Sequence, residues 1–331
     1  IMKRLFYRAL SILLIFVFLI GSLASCGNSK KKIVIYTSME DYGIEYMQKR
    51  LNEQFPDYNI VIEYKSSGEH AAAIKASGKE VACDISHDLE YGYAQEIAAM
   101  GTFADLNGVI DMSVFAEDMV ESTYYVPQVR SGGAIIINKD VISKKGLKMP
   151  ESYEDLLDEQ YKGLISMPNP SSSGTGYMFL LSLVNAWGEQ RAFEYFDKLA
   201  ENVLQFTTSG SGPVNALVSG EVAIGLGMTH HAVTKITDGS NLEIKFFEEG
   251  SPYSVYGQAV ISGRETDEAV MEVFKFLATE LTVENNELYY PERLFKDKQI
   301  SIEGFPQNIK YADMSNNTSA RKDTLLSKWK H

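Results

Sequence analysis

Short β-branched runs that close on hydroxyl residues and lead into helix-spaced apolar residues recur along this chain. That alternation restricts it to an α/β architecture. Ile33-Val34-Ile35-Tyr36 ends at Thr37-Ser38, and Ile44, Met47, Leu51 and Phe55 follow at helical spacing before Pro56-Asp57. A second run, Ile60-Val61-Ile62-Glu63-Tyr64, leads through Ser66-Ser67-Gly68 into a helix over 69–77. The pattern continues with a strand at Cys83-Asp84-Ile85, a helix over 91–100, a strand over 134–137 and a helix over 154–157. The second half repeats the design. Strands are expected at 163–167 and 222–226, extended segments at 246–251 and 256–262, and helices over 177–187, 189–199, 214–218 and 268–278. Strand–turn–helix units of this kind build largely parallel sheets, and ligands bind in the turns beyond the strands' carboxyl ends. No repeat of solenoid period is present. Residues 124–130 and 252–258, extended, aromatic and Pro-containing, are expected to cross between two lobes. The tail beyond Lys310 is polar until Leu325-Leu326 and is expected to pack on one lobe as a terminal helix.

Four turns carry candidate ligand chemistry. Pro168-Asn169-Pro170-Ser171-Ser172-Ser173-Gly174-Thr175-Gly176 places consecutive hydroxyls where a strand gives way to an apolar helix. Side-chain oxygens beside free N–H groups make a neutral anion cradle. Helix capping and turn chemistry select the same residues, and the local sequence fits both. Thr37-Ser38, Ser66-Ser67-Gly68 and Thr207-Thr208-Ser209-Gly210-Ser211-Gly212 have the same character, so a shared anion pocket is expected. Met228-Thr229-His230-His231 follows the strand ending at Leu226. Adjacent histidines can meet an anion or, with acids from elsewhere, ligate a metal; they can equally be histidines at a helix start without a ligand. Tyr124, Tyr125, Tyr177 and Tyr256 lie where a cleft would open, although tyrosines at such places mostly pack. There is no P-loop, no G-x-S-x-G elbow and no H-E-x-x-H motif, and no spacing singles out a carboxylate pair. The motifs present give catalysis no positive support, so no catalytic residue and no cofactor are expected.

The first residues supply an address. Lys3, Arg4 and Arg8 precede an uncharged apolar run from Leu10 to Ile20, and Leu23-Ala24-Ser25-Cys26 follows. A basic start, a short apolar middle and small residues at the cut are the parts of an export signal, and the run is too short for a stable span of roughly 20 residues. Leu-Ala-Ser-Cys resembles a bacterial lipobox, which implies cleavage after residue 25 and a lipid on Cys26. Residues 26–32 then form a polar tether, and the chain is expected on the outer face of the cell membrane. The leader holds three of the 31 basic residues and no acid, leaving 28 basic against 44 acidic residues and a net charge of −16. That balance argues against nucleic acid as a partner and leaves membrane attachment to the lipid. With Cys26 acylated, Cys83 has no disulfide partner and is expected as a small buried thiol.

The run from Lys32 through IVIYTSMEDYGIEYMQKRLNEQFP, then PNPSSSGTGYMFLLSLVNAWGE, then SGPVNALVSGEVAIGLGMTHHAV, resembles the solute-binding proteins of bacterial ABC importers. More narrowly, it is similar to the group serving ferric ion, 2-aminoethylphosphonate, sugar phosphates and, more distantly, thiamine. The resemblance covers nearly all of residues 32–300. It implies a two-lobe periplasmic-binding-protein type II fold with a hinge and a central ligand cleft, working as a monomer with a membrane permease and its ATPase. Lobe 1 would comprise 33–125 and 255–300, and lobe 2 would comprise 126–254 and 301–331. Ferric members use a His, a Glu and a Tyr pair. Alignment of neighbouring residues places these at Glu40, Glu69 and His230-His231, and loss of both phenolates disfavours tight ferric binding. The hydroxyl turns suit phosphate or phosphonate oxygens. The expected ligand set is Thr37, Ser38, Glu40, Ser66, Ser67, Glu69, Asp84, Ser171, Ser172, Ser173, Gly174, Thr175, Ser209, His230 and His231. Glu40, Glu69 or Asp84 would meet a ligand amine or sugar hydroxyls. The alternative is a metal-ion receptor using Glu40, Glu69, His230 and His231.

Overall fold

The computed structural model describes residues 30–116, 119, 122–298 and 300–331; the expected leader, Cys26 and most of the tether lie outside them. The strands are β1 (Lys31–Thr37), β2 (Tyr58–Tyr64), β3 (Ile85–Glu90), β4 (Val126–Asn138), β5 (Ile165–Pro168), β6 (Val203–Thr207), β7 (Ile224–Met228), β8 (Leu242–Lys245) and β9 (Tyr253–Val260). They lie in the order β2-β1-β3-β9-β4-β7-β5-β6, with β8 paired to β4. β1 is parallel to β2 and β3, and β5 is parallel to β6 and β7. Each half of the molecule thus has three parallel strands with helices on the sheet's faces, bordered by antiparallel β9 in the first half and antiparallel β4 in the second.

The antiparallel pair β4–β9 joins the halves. β4 runs beside β9 from Val126 to Gly132, then changes partners and runs beside β7 from Gly133 to Ile137. Gly133 sits at the change because a Cβ there would come within 2.7 Å of Met178 Cε and 2.8 Å of Phe179 Cζ. Side chains alternate across the strands as their period of two requires. Ile33, Ile35, Leu51, Ile85, Val260 and Phe274 pack on one face of the first half, while Val34, Tyr36, Ile74, Leu89 and Ile97 pack on the other. In the second half, Ile135, Ile165, Leu180, Phe196 and Leu226 face one way, and Ile136, Val214, Leu217 and Val222 the other.

The helices are α1 (Asp41–Gln54), α2 (Ser67–Ser77), α3 (Tyr91–Ala99), α4 (Lys139–Lys145), α5 (Gly174–Trp187), α6 (Glu189–Leu199), α7 (Gly212–Val218), α8 (Thr229–Thr237), α9 (Glu268–Phe276), α10 (Thr282–Leu288) and α11 (Ser319–Leu326). Among the described residues no helix is long and apolar enough to cross a membrane.

Several expectations are corrected. Cys83 and Asp84 precede β3 rather than forming it, because the Asp84 carboxylate accepts from the Val34 amide at 2.8 Å. β3 continues instead to Glu90, past a register irregularity between Ser86 and Leu89 that carries Asp88 at φ +54°. Glu154–Leu157 forms only a 3-10 turn. Residues 246–250 are not a strand, since Gly250 at φ +92° donates back to Phe247 O in a turn. Cys83 is buried, and burial pushes its thiol up to about 12, which leaves it inert.

The tail is part of the core. Leu325 is fully buried in the second half, and the Trp329 ring lies 5.4 Å from Phe196 and 5.7 Å from Phe206. Truncating a buried leucine that nothing can collapse around costs about 2–5 kcal/mol. Leu325→Ala is therefore expected to lower the free energy of unfolding by that amount in urea titration, whereas a merely adherent tail would give no change.

Candidate functional site

The carboxyl ends of the parallel strands in both halves face one cleft. Five helices begin there because each follows one of these strands or turns. Glu40, Ser66, Ser173 and Met228 are the N-cap residues of α1, α2, α5 and α8, and all four line the cleft. Ser209 and Gly210, just before α7, line it as well. Helix N-termini carry unsatisfied N–H groups and a partial positive charge of about half an elementary charge. Five of them around one cavity favour an anion without lysine or arginine, and none of the described lining residues is Lys or Arg.

Hydroxyls supply the remaining polar surface. Ser38, Ser66, Ser67, Ser131, Ser173, Thr175, Thr208, Ser209, Tyr64, Tyr256 and Tyr290 all line the cleft. Many are already oriented. The Ser67 hydroxyl donates to Ser38 Oγ at 3.2 Å, and the Ser38 hydroxyl donates to the Asp88 carbonyl. Ser209 and Ser211 share a hydrogen bond of 3.0 Å, and Ser173 Oγ accepts from the Gly176 amide at 3.4 Å. The two walls also touch: the Gly68 amide at the start of α2 donates to Ser172 O across the cleft at 3.0 Å.

Two carboxyl groups face the same space. Burial raises the Glu40 carboxyl to about 7; a hydrogen bond from Ser211 partly opposes this, and nearby Asp88 reinforces it. Burial likewise lifts Asp88 to about 7 against the Ser38 hydroxyl. Near neutrality both stand between acceptor and donor forms. His230 is 2 % exposed, and burial, helped by its neighbour His231, holds it neutral well below the usual histidine range. Its Nδ1 is 3.5 Å from Ser131 Oγ, and its ring lies edge-on to Tyr290 at 4.3 Å. Its Nε2 is buried without a protein partner.

The expected residues separate into two groups. Ser38, Glu40, Ser66, Ser67, Ser173, Thr175, Ser209 and His230 come together at the cleft. Thr37, Glu69, Asp84, Ser171, Ser172, Gly174 and His231 do not line it. Thr37 is fully buried against His87 Nδ1 at 3.0 Å, a tie between strands. Glu69 is spent in a capping box, accepting from the Ser66 amide at 3.1 Å and the Ser66 hydroxyl at 2.9 Å. Asp84 holds the Val34 amide and faces Arg264 at 3.4 Å. Ser171 is exposed, with its amide on Asn169 Oδ1 at 2.9 Å, and Ser172 donates its amide to Asn169 O at 3.1 Å and gives its carbonyl to the Gly68 amide. Gly174 serves packing, since a Cβ there would fall 2.8 Å from Tyr256 Oη. His231 turns toward Tyr42, with ring centroids 6.3 Å apart, and burial lowers it to about 4. The set Glu40, Glu69, His230 and His231 therefore does not assemble. Among the described residues no three His, Cys, Asp or Glu side chains are grouped to hold a metal ion.

Of the four tyrosines considered, Tyr256 alone lines the cleft; the buried Tyr125 hydroxyl donates to Leu89 O at 2.7 Å instead. Sequence reasoning missed Asp88, Ser131, Tyr64 and Tyr290. Asp88 carried a usable signal, a polar His-Asp pair inside a strand, where Asp tolerates the left-handed backbone better than most residues. Tyr290 carried none, because it reaches the cleft from a segment outside the strand–turn–helix pattern.

The model of the family described as bacterial extracellular solute-binding protein matches residues 100–290. A protein of Haemophilus influenzae is 28% identical over 277 residues, which are 82% of this chain and 79% of that one. The structure of the periplasmic binding protein AfuA from Actinobacillus pleuropneumoniae, with fructose-6-phosphate bound, superposes with a TM-score of 0.81 at 23% identity, covering 91% of this chain and 98% of that one. Iron-bound HitA from Pseudomonas aeruginosa gives 0.74 at 16% identity, covering 90% and 99%. The α/β architecture is thus the two-lobe fold of periplasmic binding proteins. This chain belongs to the bacterial extracellular solute-binding protein family and is a binding protein of the ABC-importer type, not an enzyme.

Proposed function

We propose that the chain captures a small phosphorylated or phosphonate compound between its lobes and delivers it to an ABC permease and its ATPase. The observation that carries this reading is the convergence of five helix N-termini on one hydroxyl-lined cleft with no lysine or arginine among the described residues of its wall. Such a site stabilises a phosphoryl group through N–H and O–H donors. A neutral His230 adds its unpartnered Nε2 as a further polar contact. Glu40 and Asp88 then meet the other end of the ligand, accepting from its hydroxyls or amine. The sugar phosphate bound by AfuA supports the same chemistry on the same fold.

The remaining assignments follow from that role. Residues 33–125 with 255–300 form one lobe, 126–254 with 301–331 form the other, and β4 and β9 serve as the hinge between them. A lipid on Cys26 holds the receptor, as a monomer, at the outer face of the cell membrane beside its permease.

A thermal-shift screen of the purified protein tests the ligand class. A clear rise in melting temperature is expected with fructose 6-phosphate, 2-aminoethylphosphonate or another phosphoryl compound, since a ligand at 100 times its Kd adds about 2.7 kcal/mol. A rise with ferric citrate and none with any phosphoryl compound would overturn the reading.

The raised carboxyl groups give a pH signature. A carboxyl whose folded pKa lies above its unfolded value loses stability as pH climbs from the unfolded value toward the folded one. For Glu40 that window runs from 4.5 to about 7. Glu40→Gln is expected to be more stable than the parent at pH 8 by about 3 kcal/mol and nearly equal to it near pH 4.5, read from denaturation at both values. A difference that does not change with pH would show that Glu40 is not held protonated.

A further inference from the structure

At the rear of the cleft a buried ion pair links the two halves through the C-terminal helix. Lys322 Nζ lies 2.5 Å from Glu90 Oε2, with the side chains 2 % and 1 % exposed. Glu90 ends β3 in the first half, and Tyr93 on α3 presents its ring 3.1 Å from the same ammonium. Tyr177 on α5, in the second half, faces it from 4.5 Å. Glu90 is fully engaged, accepting also from the Gly92 amide at 3.0 Å, Ser254 Oγ at 2.8 Å on β9, and Asn317 Nδ2 at 3.3 Å.

The helix that carries Lys322 is rooted in the second half. Leu325 is buried in that core, Trp329 packs on Phe196 and Phe206, Lys328 pairs with Glu189, and the His331 carbonyl accepts from Asn169 at 2.9 Å. The pair also lies directly behind the ligand-facing start of α5. A Cβ on Gly174 would fall 2.9 Å from Glu90 Cγ, and Ser173 and Thr175 on either side face the cleft.

We propose that Glu90 and Lys322 are positioning residues for closure. Lys322, carried by α11 from the second half, inserts between Glu90 and Tyr93 of the first and stabilises the arrangement in which the cleft walls touch. The physical reason is the cost of a buried charge without its partner. With both ions present the closed arrangement is satisfied. With Lys322 removed, Glu90 must either take up a proton or regain solvation as the halves move apart, and either course weakens the closed arrangement. With both charges removed that drive to open disappears.

The Gly68 amide reports closure directly, because its partner, Ser172 O, lies on the opposite wall. Hydrogen–deuterium exchange of the full chain without ligand, read by mass spectrometry on the peptide carrying Gly68, tests the proposal independently of what the cleft binds. Lys322→Met is expected to speed Gly68 exchange about tenfold while amides of β1 and β7 keep their rates. The double variant Glu90→Gln, Lys322→Met is expected to return Gly68 toward the parent rate. Trp329→Ala, which loosens the root of α11 and leaves the pair in place, is expected to speed Gly68 as well, so the test stands even if Lys322→Met does not fold. Unchanged Gly68 exchange in Trp329→Ala and in any folded Lys322→Met, or core amides that speed up in step with Gly68, would overturn the proposal.

Discussion

The alignment of helix N-termini at the ends of parallel strands is the constraint on which the rest of this structure depends. A parallel strand must return over the sheet face before the next begins, so each half places its strand ends and helix starts on one edge. When two such halves are joined face to face through β4 and β9, the partial positive charges of five helices collect in one cleft. Backbone geometry thus brings partial positive charge to the cleft, in a chain that is strongly acidic overall. The proposed anionic ligand relies on that separation: the attraction is local and directional, and the net charge acts only at long range.

Glu40 and Asp88 sit inside this field and limit it. A pocket made only of N–H and O–H donors would take any small oxyanion. Two carboxyls that burial holds near neutrality add acceptors that a bare inorganic anion does not use. In the proposed function, the combination selects an organic molecule with an anionic end and a donor-bearing end. Lys322 and Glu90 meet the same requirement by a different route: both are ionised groups out of water, and each is stable only because the other is present.

Much of this was legible in the sequence because strand–turn–helix alternation has strong periodicity. Ile33-Val34-Ile35-Tyr36 closing on Thr37-Ser38 announced both a strand and the edge where a ligand would lie. The turn at Ser171–Thr175 marked one cleft wall, although only Ser173 and Thr175 face inward, because successive turn residues point in different directions. Glu69 was ambiguous by nature: the S-x-x-E spacing from Ser66 is a capping signature, and the cap won. The pair His230-His231 looked like one feature, but adjacent residues on α8 point about 100° apart, so only His230 reaches the cleft. Tyr290, Ser131 and the Glu90–Lys322 pair arise from contacts between distant segments, which no local pattern encodes.

The central claim is that the cleft is a neutral-donor phosphoryl site. Native mass spectrometry tests it most directly, after equilibration of the protein with an equimolar mixture of fructose 6-phosphate, 2-aminoethylphosphonate, glycerol 3-phosphate and ferric citrate. The account predicts a one-to-one adduct with the mass of a phosphoryl compound. An iron adduct, or a protein that emerges empty from the mixture, would contradict it.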